Sequence, residues 1–561
     1  MVPLLRISVR AVLTLLICSY PAAADPARGT RGIVATGHAL ATEAGVNAMK
    51  DGGNAVDAAV AAALTLGVVD GSNSGIGGGC FFLIHTAKGE VIAIDGRETA
   101  PLTASRDMFV RNGKPDTRLS QVGALASGTP SALAAYHLAV ERFGKLTLKS
   151  HLLAAAEVAE RGFQIDRRYA GKLKSTADDL AQFESSKAVY FKSDGRLLAE
   201  GDLLKQTDLA GTYRNIAEHG IGWFYGGPFA EITERWMKQN AGLLTVEDFK
   251  RYQPKLREPV RSTYRGYEIF SFPPPSSGGV HVVEILNILE NFPLRSFGHN
   301  SADAIHLIAE AMKLAFADRA HWLGDPDFTP VPRGLVSREY AKELAGRIQI
   351  DRVTPVPTFG TPAGSDKDLF EKHTTHLSTA DSDGNWVACT ATINTTFGSK
   401  VVVPGTGVLL NNQMDDFSIQ PGVPNAFGLV GGDANAVAPG KRPLSSMSPT
   451  ILLKDHQPLL AVGAAGGPTI ISQTLLAILG IVDFDLDPEK ALASPRFHHQ
   501  WKPDELKIET SLDPATRAAL RLRGHSLSEV DSFGVSQAVG RDSKSFVGVS
   551  DPRSNGTAAG W

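Results

Sequence analysis

Cysteine is scarce in this chain, with three in 561 residues, and that scarcity excludes a disulfide-stapled scaffold. Cys18 falls in a leader-like segment, which leaves Cys80 and Cys389. These read as two buried thiols, with one bridge between them as the alternative. Cys-x-x-Cys pairs and Cys/His groups with zinc-ligand spacing are lacking too, so the pattern offers no zinc site. Long basic runs are missing and the formal net charge is −3, which argues against a nucleic-acid partner. Apolar runs of the ~18 residues that a membrane helix takes are also missing. Ala11–Cys18 is shorter, and Ala55–Val69 is both shorter and interrupted by Asp57. What is present is an ordinary globular balance, 43% hydrophobic and 20% charged, enough for a large core.

The short apolar run near the start has the marks of an export signal. Arg6 and Arg10 give it a positive start, and the small residues Pro21-Ala22-Ala23-Ala24 follow. The reading is a signal peptide over 1–24, a mature chain from Asp25, and release into the periplasm or, alternatively, the medium. Beyond it the pattern turns helical. Ala39 to Lys50 is Ala-rich, Gly52-Gly53 ends it, and Asn54 can cap a second helix through Ala63. The stretch Ala55 to Val69 reads as buried helix. Gly71 to Gly79 (GSNSGIGGG) is a tight loop ahead of a strand, Phe81 to His85, with Val91 to Asp95 as hairpin partner. The loop lacks the spacing of a phosphate cradle and reads as close backbone packing. Residues 131 to 350 look mainly helical, with strands near Tyr267 to Phe272.

Residues 351 to 373 mix several Pro and Gly with charges (TPVPTFGTPAGSDK), which predicts an exposed, mobile tether. Thr374 follows at once, and the pattern switches to strands. Thr375 to Ala380 alternates, Asp381 to Asn385 is a turn cluster, and Trp386 to Ile393 alternates again, as a hairpin does. With Ala380 facing Trp386, the register sets Thr374 opposite Thr392, with Cβ atoms about 5 Å apart. Asn394 then lies on the same face, one pair further. The turn cluster lacks the ligand spacing of a calcium loop.

A threonine at the head of a strand, behind a flexible tether, suits self-cleavage. Threonine hydroxyl is a weak nucleophile and needs a base. An α-amine, with a reference pKa of about 8, can serve. A threonine at a new N-terminus carries its own, so the His373–Thr374 bond would have to be cut. Thr374 can attack the His373 carbonyl, shift the chain onto oxygen and release it to water, leaving 25–373 and 374–561. Taken alone, Thr374-Thr375 reads as two β-formers at a strand start.

The surrounding motifs change that reading. They are Thr374-Thr375-His376, Asp383-Gly384-Asn385, Asn394-Thr395-Thr396-Phe397-Gly398 and Asn411-Asn412-Gln413-Met414-Asp415-Asp416-Phe417. Further on come Lys441-Arg442-Pro443-Leu444-Ser445-Ser446-Met447-Ser448-Pro449-Thr450, Gly466-Gly467, Pro495-Arg496-Phe497-His498-His499-Gln500 and Asp551-Pro552-Arg553-Ser554. Gly77-Gly78-Gly79, Arg97-Glu98, Pro273-Pro274-Pro275-Ser276-Ser277-Gly278-Gly279 and Asp318-Arg319 precede them. Across essentially the whole mature chain this set resembles the γ-glutamyltransferase family, its bacterial members above all.

The resemblance implies an α+β fold of the N-terminal-nucleophile type: an αββα sandwich, two antiparallel sheets between helical layers. Both chains build it as one unit, a large subunit of 25–373 and a small one of 374–561. It implies γ-glutamyl transfer from glutathione or other γ-glutamyl amides, through a Thr374 ester, to water or to amino-acid and dipeptide acceptors. It implies no metal or organic cofactor. Thr374 would be the nucleophile, supported by Thr392, with Gly466 and Gly467 as the oxyanion hole. Arg97, Ser445 and Ser446 would hold the donor's α-carboxylate, and Asn394, Gln413 and Asp416 its α-ammonium. Pro421 to Arg442 is similar to a lid loop in which Phe427 stands where a tyrosine is expected; the apolar cover survives, the hydroxyl does not. Two other readings compete: a self-processing acylase for β-lactam side chains or other amides, and an unprocessed binding protein on the same fold. Arg97 and Asp416 argue against the first, the intact residue set against the second. His373, His376, His498 and His499 read as structural or surface residues.

Overall fold

The computed structural model describes residues 26–329, 331–363, 375–420 and 422–561. Two sheets of seven strands each carry the fold. Their strands, numbered along the chain, are β1 (Ala27–Gly29), β2 (Gly32–Thr36), β3 (Gly79–His85), β4 (Val91–Gly96), β5 (Lys255–Arg257), β6 (Val260–Tyr264) and β7 (Tyr267–Ser271). After the motif-rich boundary come β8 (Thr375–Asp381), β9 (Trp386–Thr392), β10 (Thr450–Lys454), β11 (Gln457–Ala465), β12 (Val535–Arg541), β13 (Phe546–Ser550) and β14 (Thr557–Gly560). One sheet runs β14-β2-β8-β9-β3-β4-β5, the other β1-β13-β12-β11-β10-β7-β6, and neighbouring strands are antiparallel throughout.

Period-two alternation explains why both faces of the first sheet are buried. In β3, Phe81 and Leu83 point between the sheets, while Cys80, Phe82 and Ile84 point to a helical layer. In β9, Trp386 and Ala388 face the other sheet, and Val387, Cys389 and Ala391 face helices. Those helices include α1 (Ala39–Lys50), α2 (Ala55–Val69), α3 (Leu148–Arg161) and α4 (Arg167–Leu180). The second sheet is covered on its far side by α5 (Gly278–Leu289), α6 (Ala302–Trp322) and α7 (Thr469–Val482). The order helix, sheet, sheet, helix is the αββα sandwich expected. No helix among the described residues is long and apolar enough to cross a membrane.

Asn54 caps α2 through Val56 and Asp57 N–H groups, and Asp57 answers to the Asn54 N–H. The helix spans Ala55–Val69, the whole stretch read as buried helix, and so passes Ala63, the end taken from the cap alone; every residue in it is buried. The Gly71–Gly79 loop is close packing: a Cβ on Gly78 would sit 1.8 Å from the Thr392 carbonyl oxygen, and one on Gly77 2.0 Å from that of Leu409. Cys80 and Cys389 are buried free thiols, and burial pushes both well above the usual thiol range.

The tether's first part, 351–363, has no helix or strand, but it is pinned rather than loose. The Trp501 indole donates to the Val356 carbonyl (2.7 Å), the Trp322 indole to that of Gly360 (3.0 Å), and the Thr354 N–H to Glu310 (2.7 Å). Pro/Gly composition reports a lack of periodic structure, not a lack of partners, and these partners lie far away in sequence. The rest of the tether, including His373 and Thr374, lies outside the described residues.

Candidate active site

The frame around the cut position follows the register expected. Pairs run from Ala380↔Trp386 back to Thr375↔Ala391, the first pair of β8 and β9. The last step, Thr374 against Thr392, lies outside the described residues. Thr392 itself pairs on its other side with Gly79. It is fully buried, and its Oγ1 accepts the Asn394 N–H at 2.8 Å. Here the strand reading overshoots: β9 ends at Thr392, and Asn394 turns left-handed (φ 76°) instead of continuing the face. Closing that turn onto the Thr392 hydroxyl is what ends the strand. Asn394 Nδ2 donates to the Asn412 carbonyl (2.9 Å), while its Oδ1 is buried without a hydrogen bond among the described residues.

Arg97 follows the end of β4 and is fully buried, so the surface ion pair that its polar neighbours suggest does not form. Its Nη2 lies 2.6 Å from Asp416 Oδ2 and donates to the Leu444 carbonyl (3.0 Å); Nε donates to that of Pro443 (2.9 Å). Asp416 ends a single 3-10 turn that begins at Gln413, and Gln413 Nε2 donates to the same Oδ2 at 2.8 Å. Glu98 stands 3.7 Å from Arg97, but burial pushes its carboxyl up to about 7, against the pull of the guanidinium. One buried cation and one strongly bonded carboxylate thus lie side by side.

Ser445 and Ser446 follow the carbonyls that Arg97 holds. Their loop is built by the proline-serine motif: the Ser445 N–H donates to the Pro275 carbonyl (3.0 Å), and Ser276 and Ser277 hydroxyls donate to the Ser445 carbonyl (3.1 and 2.8 Å). Ser445 Oγ accepts the Met447 N–H at 3.2 Å. Ser446 Oγ is buried with no hydrogen bond among the described residues. In the sequence Ser276, Ser277 and Asn411 stand out only as letters of their motifs. Asn411 turns out to tie the Gly77 and Gly128 carbonyls to the Gln413 N–H, joining the glycine loop to the acidic turn. Their place inside a dense motif was the available signal.

Gly466 and Gly467 sit between β11 and α7, both left-handed (φ 131° and 70°). A Cβ on Gly466 would lie 2.8 Å from Thr469 Oγ1 and 2.9 Å from Gly534 Cα. The positive end of α7 adjoins them, a favourable setting for developing negative charge. Gly466 and Gly467, with Asn394 and Phe427, line a cleft of about 720 Å³. Arg97, Gln413, Asp416, Ser445 and Ser446 are buried outside that lining. Phe427 also packs against the apolar core of the second helical layer.

His376, His498 and His499 are engaged within the fold, and His373 lies outside the described residues. His376 lies between the sheets with Thr390 and Ser378 hydroxyls at 3.0 Å, His498 meets Ser472, and His499 meets Asp504. His306, Glu310 and His525 bring ligand-type atoms within 4.8 Å of one another. The Lys313 ammonium, 2.8 Å from Glu310, supplies positive charge there already.

Residues 41–561 match the family model described as gamma-glutamyltranspeptidase. A glutathione hydrolase proenzyme of Escherichia coli (strain K12) is 46% identical over 534 residues, 94% of this chain and 91% of that one. Among solved structures, the cephalosporin acylase of Bacillus halodurans superposes with a TM-score of 0.86 at 30% identity, over 98% of this chain and 99% of that one. The Helicobacter pylori gamma-glutamyltranspeptidase gives 0.57 at 42% identity, over 58% of this chain and 94% of that one.

Proposed function

Because this chain belongs to the gamma-glutamyltranspeptidase family, we propose that it is a γ-glutamyltransferase and glutathione hydrolase that matures by cutting itself between His373 and Thr374. The observation that carries the substrate reading is the pairing of Arg97 with Asp416. A γ-glutamyl donor bears a carboxylate and an ammonium on one carbon. Cation and carboxylate, side by side and fully buried, complement both, and Gln413 orients the latter. In this reading Ser445 and Ser446 add donors to the carboxylate, and Asn394 an acceptor to the ammonium.

Thr374 attacks the γ-amide carbon, and its own α-amine takes the hydroxyl proton. The oxyanion rests on the Gly466 and Gly467 N–H groups. The amine then protonates the departing nitrogen, leaving a γ-glutamyl ester on Thr374. Water, or an amino-acid or dipeptide amine, attacks that ester and frees the threonine. Phe427 closes over the donor without a hydroxyl. The precursor carries an export signal over 1–24, and the products, 25–373 and 374–561, work as large and small subunits in the periplasm. The proenzyme name of the E. coli relative supports this order of events.

A second reading, an acylase for side chains without an α-amine, draws on the likeness to the B. halodurans enzyme. Comparing γ-glutamyl and glutaryl p-nitroanilides decides between them: faster turnover of the glutaryl compound overturns the γ-glutamyl reading. N-terminal sequencing of the smaller band on a denaturing gel should begin at Thr374, and Thr374→Ala should stay one chain. A mature protein that stays whole, and binds γ-glutamyl ligands without turnover, would instead be a binding protein.

A further inference from the structure

Helix α4 forms one wall of the cleft, presenting Arg168, Ser175, Thr176 and Asp179 to it. Arg168 also lines a smaller cavity of about 180 Å³, which shares Asn73, Ala465 and Val535 with the cleft and reaches Thr375. The cleft therefore continues past Arg168 into the smaller cavity, and its charge there can be counted by side chain.

Three cations line the cleft: Arg168, Lys400 and Arg553. Two are committed within the fold. Lys400 Nζ donates to the Gly398 carbonyl at 2.6 Å, and Arg553 holds Glu509 through Nε and Nη2 (2.7 and 2.6 Å). Lys172, one turn along α4 and on the smaller cavity, is held by Ser72 (2.9 Å) and Asp70 (3.3 Å). The nearby acids are committed as well: Asp166 takes the Tyr169 N–H and the Asn555 amide, and Asp179 takes Arg118. The Arg168 guanidinium is exposed and makes no hydrogen bond or ion pair among the described residues.

On the function proposed above, the departing part of glutathione is a dipeptide with a free carboxylate. Dipeptide acceptors carry a carboxylate at the same remove from the amine that attacks, and amino acids carry theirs one residue nearer. The Arg97–Asp416 pair is taken by the donor's glutamyl end, so this second carboxylate needs its own cation. We propose that Arg168 binds the carboxylate of the leaving dipeptide and of the incoming acceptor, and so sets specificity on that side of the scissile bond. A planar guanidinium fits a carboxylate bidentately. Its exposure keeps the effect modest.

The test compares donors that do and do not carry the group: glutathione, glutathione esterified at its glycine carboxyl, and γ-glutamyl-p-nitroanilide. For Arg168→Gln, kcat/KM for glutathione should fall about three- to tenfold. The ester and the anilide should stay within about twofold of the unaltered enzyme. Arg168→Lys should recover part of the loss, and the KM for glycylglycine as acceptor should rise in Arg168→Gln. An equal fall on all three donors would make Arg168 a general structural residue and overturn the proposal, as would no change on any. Failure of the unaltered enzyme to turn over the anilide would overturn the γ-glutamyl reading itself.

Discussion

At the scale of single residues, the buried pair of Arg97 and Asp416 is where stability and function meet. Arg97 is enclosed by carbonyls, Glu98 and Asp416, and the Asp416 carboxylate lies 2.6 Å from its guanidinium. Asp416→Ala removes the carboxylate bonded to a buried cation, a change that costs about 3–5 kcal/mol; urea or thermal unfolding should read that loss directly. Asp416→Asn keeps the shape and a hydrogen-bond acceptor. It should fold, yet lose the charge that an ammonium needs, with kcat/KM for a γ-glutamyl anilide down about 10- to 100-fold. Comparable activity in Asp416→Asn would remove Asp416 from donor binding. A second residue-scale effect is acidity. Burial holds the His376 imidazole down to about 3, from 6.5. A lowered folded pKa means the unfolded chain binds a proton first, so the contribution is whole above 6.5 and is lost as pH falls toward 3. At pH 5 the loss is about 2 kcal/mol, and His376→Gln should flatten the fall of unfolding free energy between pH 7 and 5.

At the scale of elements, the hairpin of β8 and β9 was legible because alternation and a five-residue turn cluster fix a register between neighbours in sequence. The N-cap of α2 at Asn54 was legible for the same reason. What stayed hidden depends on contacts across the molecule. Nothing in TPVPTFG announces that Trp501 and Trp322 will hold its carbonyls. Asn394 continues the strand pattern on paper, and only its hydrogen bond to Thr392 breaks that pattern. The roles given to Arg97 and Asp416 came from whole-chain resemblance; local sequence alone left Arg97 as a surface ion pair and Asp416 as a solvated acid in a loop. The glycine loop yields a sharp forecast at this scale. Gly78→Ala puts a methyl 1.8 Å from the Thr392 carbonyl, against backbone that cannot swing away. The β3–β9 pairing should loosen, lowering Tm by several degrees and slowing the appearance of the smaller band on a denaturing gel. Unchanged processing and melting would show that the loop can retreat.

At the scale of the whole molecule, the strands before and after residue 374 interleave. In one sheet β8 and β9 lie between β2 and β3; in the other β10 to β13 lie between β1 and β7. Under the proposed cut the two products are therefore sewn into both sheets. They should travel as one species on size exclusion and on a native gel, and part only in denaturant. Separation under native conditions would contradict either the cut position or the sheet order.

That interleaving also dictates a sequence in time. Apart, neither segment can close either sheet, because each would present open strand edges where its counterpart belongs. The peptide bond before Thr374 thus acts like a basting thread. It holds the two halves in register while they are assembled, and once the seams are closed the thread can be drawn out without the garment coming apart.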